Sequence, residues 1–249
     1  MADPVDRMSE PIGLIDRQQD VAEREWVEGW LAGPTRLRWD SLPVQVGDPA
    51  PDLELLDMAG TPRRLSDLWS TGPTLLLFLR HYGCSCLAER WDGLRGDLPE
   101  LEAAGAQVVA VGQGESERTA AMVTRRGYPF PVLSDPDRRA YAAYGLLQGT
   151  PAQLVHDFPW RPGDMASAES VFLRPRRGTE RAVVDDPWQL PGEFVVDRGG
   201  TIVLAHRYQY CEDFPPKGVL LGAIAAAGRP DRFIELAPAA SPSRPPALR

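Results

Sequence analysis

The 249-residue sequence contains only three cysteines and three histidines. It has no apolar run approaching the ~20 residues that cross a bilayer, and it opens as Met1-Ala2-Asp3-Pro4, without the apolar segment of a secretion signal. Neither a membrane anchor nor export is therefore expected. Acidic residues outnumber basic ones, 35 to 27, and the resulting net charge of −8 disfavours binding to nucleic acid or to an anionic membrane.

The glycine-rich motifs that bind nucleotides are also missing. The sequence contains neither a P-loop nor a dinucleotide fingerprint, and no cofactor is expected. Three cysteines, two of them one residue apart, do not match the disulfide framework of a secreted domain. We therefore expect a reducing, cytoplasmic compartment, where a close cysteine pair is catalytic or metal-binding rather than structural.

Composition divides the chain into three parts. Residues 1–43 form an N-terminal helical extension whose apolar stripe carries Trp26 and Trp30, and the stripe is expected to pack on its own domain or, as the minority interpretation, on a second copy. Residues 44–228 form the main domain, within which 145–190 is a proline- and tryptophan-rich insertion that could roof an active site. Residues 229–249 have the composition of a disordered tail.

Short apolar segments alternate with helical patterns in the main domain. The order β-α-β-α-β-α predicts an α/β fold with a parallel sheet at its centre. A hairpin and a last helix are predicted after the insertion. Strands are expected near 53–56, 63–65, 75–79, 106–112, 129–133, 193–196 and 201–206, and helices near 87–104, 115–126, 135–144 and 216–227.

Two cysteines stand directly after the unbroken apolar run at 75–79, which is typical of a strand buried on both faces. A cysteine between such a strand and a helix lies at the helix N-terminus, where the amide groups and dipole favour a thiolate. Cys84 is predicted to be that reactive thiolate, with Arg80 and His81 supplying a cation and a hydrogen-bond donor. The alternative is that Cys84 is an inert core residue.

The other cysteines leave more than one interpretation open. Positions i and i+2 diverge on a helix, so the spacing disfavours a relaxed Cys84–Cys86 disulfide, and Cys86 either resolves a sulfenic acid or is simply buried. Cys211 follows a strand expected to be an outer one, so it is predicted to be a remote thiol, with a resolving cysteine or an intermolecular bridge as the minority interpretation. The thiols could also hold copper(I) or zinc with His81 or His206, but no metal is expected.

Three segments carry a family resemblance. Residues 46–53 (VGDPAPDL) resemble a "G-x-x-A-P-x-F/L" motif, and 78–84 (FLRHYGC) resemble "F-x-R-x-x-x-C". Residues 191–197 (PGEFVVD), with Gly200 and Ile202, resemble "P/G-x-x-F-V-I-D-x-x-G-x-I". These motifs are similar to those of the alkyl hydroperoxide reductase and thiol-specific antioxidant (AhpC/TSA) proteins, the peroxiredoxin-like group of the thioredoxin fold.

The resemblance implies a thioredoxin-like fold, with a central mixed sheet flanked by helices. It also implies an antioxidant thiol oxidoreductase that reduces a hydroperoxide and is itself reduced by a thioredoxin-like protein or a low-molecular-weight thiol. Tyr82 and Pro191 are assigned to the substrate pocket or to structure, with a cis peptide bond expected before Pro191. A homodimer is a further expectation.

Two departures from the family pattern leave alternatives open. Leu77 and His81 stand where peroxiredoxins carry proline and threonine, and Cys84-Ser85-Cys86 is one residue shorter than Cys-x-x-Cys. The alternatives are an enzyme diverted to a specific organic substrate and a non-catalytic redox or metal-binding protein.

Overall fold

The computed structural model describes residues 20–157 and 184–229. Within these ranges, no helix has the length and apolar character needed to cross a membrane. The strands are β1 (Glu54–Leu56), β2 (Pro62–Arg64), β3 (Thr74–Phe78), β4 (Gln107–Gly112), β5 (Val132–Ser134), β6 (Gly192–Val196) and β7 (Ile202–Arg207). The helices are α1 (described from 20 to 32), α2 (Leu65–Trp69), α3 (Ser85–Ala103), α4 (Ser116–Arg126), α5 (Arg139–Ala143) and α6 (Lys217–Ala227), with a 3-10 segment at Pro151–Asp157.

The seven strands form one mixed sheet in the order β2-β1-β5-β4-β3-β6-β7. Strands β3, β4 and β5 run parallel, as the alternating pattern predicts. Hairpin β1–β2 joins β5 and hairpin β6–β7 joins β3, and both joins are antiparallel. The predicted α/β class, with a central mixed sheet flanked by helices, is confirmed.

Strand β3 lies between β4 and β6 and is buried at all five positions. Because successive side chains point to opposite faces of a sheet, the strand contributes to two separate hydrophobic clusters. Leu75 and Leu77 pack in a cluster with residues of α1, α3, α4 and α6, whereas Leu76 and Phe78 pack in a second cluster with residues of α2 and α5. The unbroken apolar run therefore reflects burial on both faces, and it fixes the position of the cysteine loop that follows.

Helix α1 covers one side of this domain with its tryptophan stripe. The Trp26 ring lies 4.6 Å from the His81 ring, centroid to centroid, and the Trp30 ring lies 4.3 Å from that of Trp188. Trp188 Nε1 also donates a hydrogen bond of 2.8 Å to the Gly29 carbonyl. Packing on its own domain, the favoured prediction, is confirmed for the described part of the helix.

The two described ends of the predicted insertion, 145–157 and 184–190, lie side by side. Gln148 and Gln189 form an antiparallel bridge between them. The second end also packs over the cysteine loop, where its carbonyl groups accept hydrogen bonds from Arg80. The rest of the predicted roof lies outside the described residues, as does nearly all of the predicted tail.

The peptide bond before Pro191 is trans, since the described residues contain no cis peptide bond, and the cis prediction is wrong. The trans form of an X–Pro bond is intrinsically favoured by about 0.5–1 kcal/mol. Hydrogen bonds hold the chain on both sides of this peptide: the Leu190 N–H donates to the Leu147 carbonyl at 3.1 Å, and the Tyr208 N–H donates to the Pro191 carbonyl at 3.2 Å. These contacts hold the intrinsically favoured isomer in place.

Candidate active site

Cys84 occupies the N-cap position of α3, directly after the loop that leaves β3. Its backbone is extended (φ −66°, ψ 132°), and its N–H donates a hydrogen bond of 3.1 Å to the His81 carbonyl. The side chain is fully buried. The first-turn amide groups of the 19-residue helix and its dipole place partial positive charge at this position. The predicted strand–cysteine–helix junction is present.

Cys86 lies in the first turn of α3 and forms a disulfide with Cys84. The two Cα atoms are 5.5 Å apart, within the usual range of about 4.4–6.8 Å for a disulfide. The helical-spacing argument against this pair does not apply, because Cys84 precedes the helix in an extended conformation. The two sulfurs therefore lie together at the start of α3.

The Arg80 guanidinium is a fully buried cation beside the sulfurs. Its Nη1 donates to Cys84 Sγ at 3.7 Å and to Cys211 Sγ at 3.2 Å. Its Nη2 donates to the Pro187 carbonyl and its Nε to the Gln189 carbonyl at 3.4 Å. Burial lowers the pKa of Arg80, but an arginine side chain keeps its charge in proteins. A fixed positive charge here stabilises a thiolate on Cys84 once the disulfide is reduced.

Cys211 lies at this same site, so the prediction of a remote thiol is wrong. Strand β7 is indeed the outer strand of the sheet, but the loop after it folds back toward the centre of the molecule. The Cys211 N–H donates to the Gln153 carbonyl at 3.2 Å, and the Cys211 side chain is buried against Arg80. The direction of the loop, which the strand pattern does not encode, decides the position of the sulfur.

His81 is buried and uncharged at neutral pH. Burial lowers the pKa of its ring well below the ordinary value, and the positive charges of Arg80, Arg118 and Arg126 act in the same direction. The ring packs against Trp26. Because the neutral imidazole carries no positive charge, Arg80 is the cation of the predicted pair.

Tyr82 anchors the cysteine loop. Its N–H donates to Asp185 Oδ2 at 2.9 Å, and its hydroxyl lies 2.7 Å from Thr119 Oγ1. Its ring lies so close to Gly112 and Gly114 that a Cβ atom at either position would overlap it. Burial raises the pKa of the Tyr82 hydroxyl, which therefore stays protonated. These contacts favour a structural role over a place in the substrate pocket.

A small, narrow pocket adjoins two of the three cysteines, Cys86 and Cys211, and its walls are mainly apolar. Pro191, assigned from the sequence to the substrate pocket or to structure, lines it. Cys84 is not among the lining residues, which are Leu77, Phe78, Leu79, Arg80, Cys86, Leu87, Arg90, Pro191, Glu193, Tyr208, Cys211 and Phe214. A small molecule in this pocket would therefore meet Cys86 or Cys211 first.

Three pocket residues that were not predicted from the sequence form a polar cluster in which Glu193 and Tyr208 are buried and Arg90 is partly buried. Arg90 donates two hydrogen bonds, of 2.7 and 2.6 Å, to the Glu193 carboxylate, which also accepts one from the Tyr208 hydroxyl. Burial alone would lower the pKa of Arg90, but the Glu193 charge outweighs it and the pKa is raised. Burial also raises the pKa of Tyr208 well above its ordinary value.

Two sequence signals could have revealed this cluster. Glu193 is a charged residue inside the otherwise apolar strand β6. Arg90 lies four residues after Cys86, on the same face of α3. A buried carboxylate needs a partner, so the two signals together point to an ion pair beside the cysteines.

The geometry favours thiol chemistry over a metal centre. The described residues contain no group of three or more His, Cys, Asp and Glu side chains arranged to hold a metal ion. The Arg80 charge beside two of the sulfurs repels a second cation. His206, named in the metal alternative, contacts the Asp213 carbonyl through Nε2 at 2.6 Å.

The fold and the site together define a class of protein: a thioredoxin-like domain with a disulfide-bonded cysteine pair at the start of the helix that follows its central strand. The model of the AhpC/TSA family matches residues 46–205, more than half of the chain, and the protein belongs to this family. Its class is that of the peroxiredoxin-like thiol oxidoreductases.

Similar proteins support this class. The chain is 23% identical over 181 residues to Peroxiredoxin-like 2C of Bos taurus, covering 72% of this chain and 77% of that protein. It is 27% identical over 97 residues to the Thioredoxin-like protein AAED1, chloroplastic, of Arabidopsis thaliana, and this match spans only 39% of either protein.

A solved structure shows the same fold. The crystal structure of Peroxidoxin BcpB from Mycobacterium tuberculosis superposes with a TM-score of 0.52 at 21% identity, covering 74% of this chain and 97% of that one. The peroxiredoxin-like thioredoxin fold expected from the motifs is confirmed.

Proposed function

We propose that the protein reduces a hydroperoxide through Cys84. The Cys84 thiolate attacks the terminal oxygen of the substrate and the O–O bond breaks. Cys84 becomes a sulfenic acid, and the other oxygen leaves as an alcohol or water after taking up a proton. The observation that carries the proposal is the position of Cys84 Sγ, at the N-terminus of α3 and 3.7 Å from Arg80 Nη1.

In the second step, the Cys86 thiol attacks the sulfenic sulfur, releases water and forms the Cys84–Cys86 disulfide. The closeness of the two residues supports this assignment. An external thiol, on a thioredoxin-like protein or a low-molecular-weight compound, then returns the pair to the dithiol by thiol–disulfide exchange. A reducing cytoplasm suits this cycle; the compartment and a homodimer stay predictions.

A second candidate function is a thiol-dependent reaction on a specific organic substrate. The apolar pocket beside Cys86 and Cys211 favours it. The two candidates differ in the compound that oxidises or modifies the cysteines. A panel of hydrogen peroxide and organic hydroperoxides of increasing size separates them, because only the first candidate requires that one of these peroxides oxidise Cys84.

The test is a single-turnover oxidation followed by mass spectrometry. Reduced protein is mixed with one equivalent of each hydroperoxide in the presence of dimedone, which traps sulfenic acids. We expect the Cys86→Ser variant to accumulate the dimedone adduct on Cys84 and the Cys84→Ser variant to lose peroxide consumption. Wild-type rates in Cys84→Ser, or an unmodified Cys84 with every hydroperoxide, would refute the proposal.

A further inference from the structure

Two sulfur atoms contact one buried cation and a third is bonded to one of them, whereas the cycle above uses only Cys84 and Cys86. Arg80 Nη1 donates to Cys84 Sγ and to Cys211 Sγ, at 3.7 and 3.2 Å. Cys84 is bonded to Cys86, and Cys211 is outside any disulfide. A thiol, a disulfide and a guanidinium therefore lie together in the protein interior.

The loop that carries Cys211 is fixed in this position by its own contacts. Its backbone is held by the hydrogen bond from the Cys211 N–H to the Gln153 carbonyl and by the bond from the Tyr208 N–H to the Pro191 carbonyl, each 3.2 Å long. The Asp213 carboxylate accepts a bond of 2.9 Å from the Gln209 N–H. The approach of Cys211 to Arg80 is thus built into the fold of the loop.

The pocket beside the site is lined by Cys86 and Cys211 but not by Cys84. Cys86, which is bonded to Cys84, therefore lines the same pocket as Cys211, which is not in a disulfide. Arg80 lines the same pocket.

We propose that Cys211 is a third redox cysteine, which takes over the disulfide from Cys84 by exchange at Cys86. This step rests on the thiol oxidation proposed above. Cys211, as a thiolate, attacks Cys86 Sγ; the Cys86–Cys211 bond forms, the Cys84–Cys86 bond breaks, and Cys84 leaves as a thiolate. The proton lost by Cys211 is balanced by the proton that Cys84 can take up, and no external oxidant or reductant is needed.

Arg80 is suited to this exchange because it contacts both the attacking and the leaving sulfur. In thiol–disulfide exchange the negative charge moves from the attacking sulfur to the leaving sulfur, while the central sulfur changes partners. Here the two outer positions are Cys211 and Cys84, and both accept hydrogen bonds from Arg80 Nη1. The guanidinium is held by two backbone carbonyls, so it need not move while the charge shifts.

The exchange changes which two cysteines form the disulfide. Before it, the disulfide includes Cys84, which does not line the pocket; after it, both members of the disulfide line the pocket. Cys84 returns to its thiolate form beside Arg80, and the thiol reductant meets a disulfide formed by Cys86 and Cys211.

The experiment follows the disulfide without peroxide. Reduced protein is oxidised with diamide, quenched in acid at intervals, alkylated under denaturing conditions and mapped by mass spectrometry, so that the alkylated cysteine is the one outside the disulfide. We expect alkylation on Cys211 at the earliest times and a growing share on Cys84 later. Alkylation that stays on Cys211 throughout would overturn the proposal.

Substitutions at the cation and at the third thiol sharpen the test. Arg80→Met should slow the appearance of alkylated Cys84 by about tenfold, and Arg80→Lys, which keeps the charge, should restore part of the rate. Among molecules that carry a disulfide, Cys211→Ser should leave Cys84 unalkylated at all times. If Arg80→Met does not fold, the wild-type time course and the Cys211→Ser variant still test the exchange. If Arg80→Met folds and exchanges as fast as the wild type, the role of Arg80 is refuted.

The two proposals can fail separately. A protein that exchanges its disulfide after diamide but whose Cys84 no hydroperoxide oxidises contradicts the peroxidase function alone. A protein that consumes peroxide through Cys84, while Cys84 is never alkylated after diamide, contradicts the exchange alone.

Discussion

His81 makes the folding stability depend on pH in a way that can be calculated. In the folded protein its ring is buried against Trp26 and its pKa lies well below 6.5, whereas in the unfolded chain a histidine titrates near 6.5. As the pH falls through 6.5, the unfolded chain takes up a proton that folded His81 does not. The unfolded state is thereby favoured, and the free energy of unfolding decreases.

The size of the effect follows from one proton. Below the unfolded pKa the loss approaches about 1.4 kcal/mol for each pH unit, which amounts to at most about 2 kcal/mol between pH 7 and pH 5; the full amount applies where folded His81 stays unprotonated over this range. The loss levels off only below the depressed pKa of the folded ring. Asp135, whose pKa is raised by burial, acts in the opposite direction at lower pH.

The assay is urea unfolding of the oxidised protein at a series of pH values from 7 to 5, for the wild type and for His81→Gln, whose side chain does not titrate. The variant should be less sensitive to pH by up to about 2 kcal/mol over this range. The contribution of Asp135 is common to both proteins and cancels in the difference. Equal pH dependences, or an NMR titration of the folded His81 ring with a pKa of 6.5 or above, would refute the reasoning.

Two further predictions concern stability. Gly127 ends α4 with a φ of 66°, which disfavours a side chain, so Gly127→Ala should lower the free energy of unfolding by about 1 kcal/mol. The matched change Gly96→Ala, in open space inside α3, should raise it by about 1 kcal/mol. Urea unfolding measures both changes, and effects of the same sign would contradict the backbone argument. Glu193→Gln removes the charge that compensates the partly buried Arg90 and should cost about 3 kcal/mol, much of which the double change with Arg90→Met should recover. Thermal unfolding that shows no recovery would contradict the ion-pair account.

The local features of the fold could be read from the sequence because they depend on neighbouring residues. The apolar run of β3 requires burial on both faces, and α4 ends where the pattern predicts, because the glycine that follows, Gly127, adopts the left-handed conformation. The position of Cys84 follows from these local rules, since the end of a strand and the start of a helix together define the N-cap.

The remaining features of the site depend on contacts between distant parts of the chain. Cys211 reaches Arg80 because a loop after the outermost strand turns inward, and His81 is neutral because a helix from the N-terminal extension covers it. The hydrogen bonds that hold Pro191 in the trans form come from residues far away in sequence. No pattern of spacing encodes such contacts; they arise when separate segments pack together.

The pairing of β3 with β6 has a consequence for biosynthesis. Thr74 pairs with Val196, and the carbonyl groups that hold Arg80 belong to Pro187 and Gln189. On the ribosome, Cys84 and Cys86 emerge long before these partners, since domains form as their sequence becomes available. The nascent chain therefore carries the two thiols through an interval in which Arg80 has neither its carbonyl anchors nor Cys211. The complete arrangement of cation and sulfurs is assembled only when the last third of the chain has been translated.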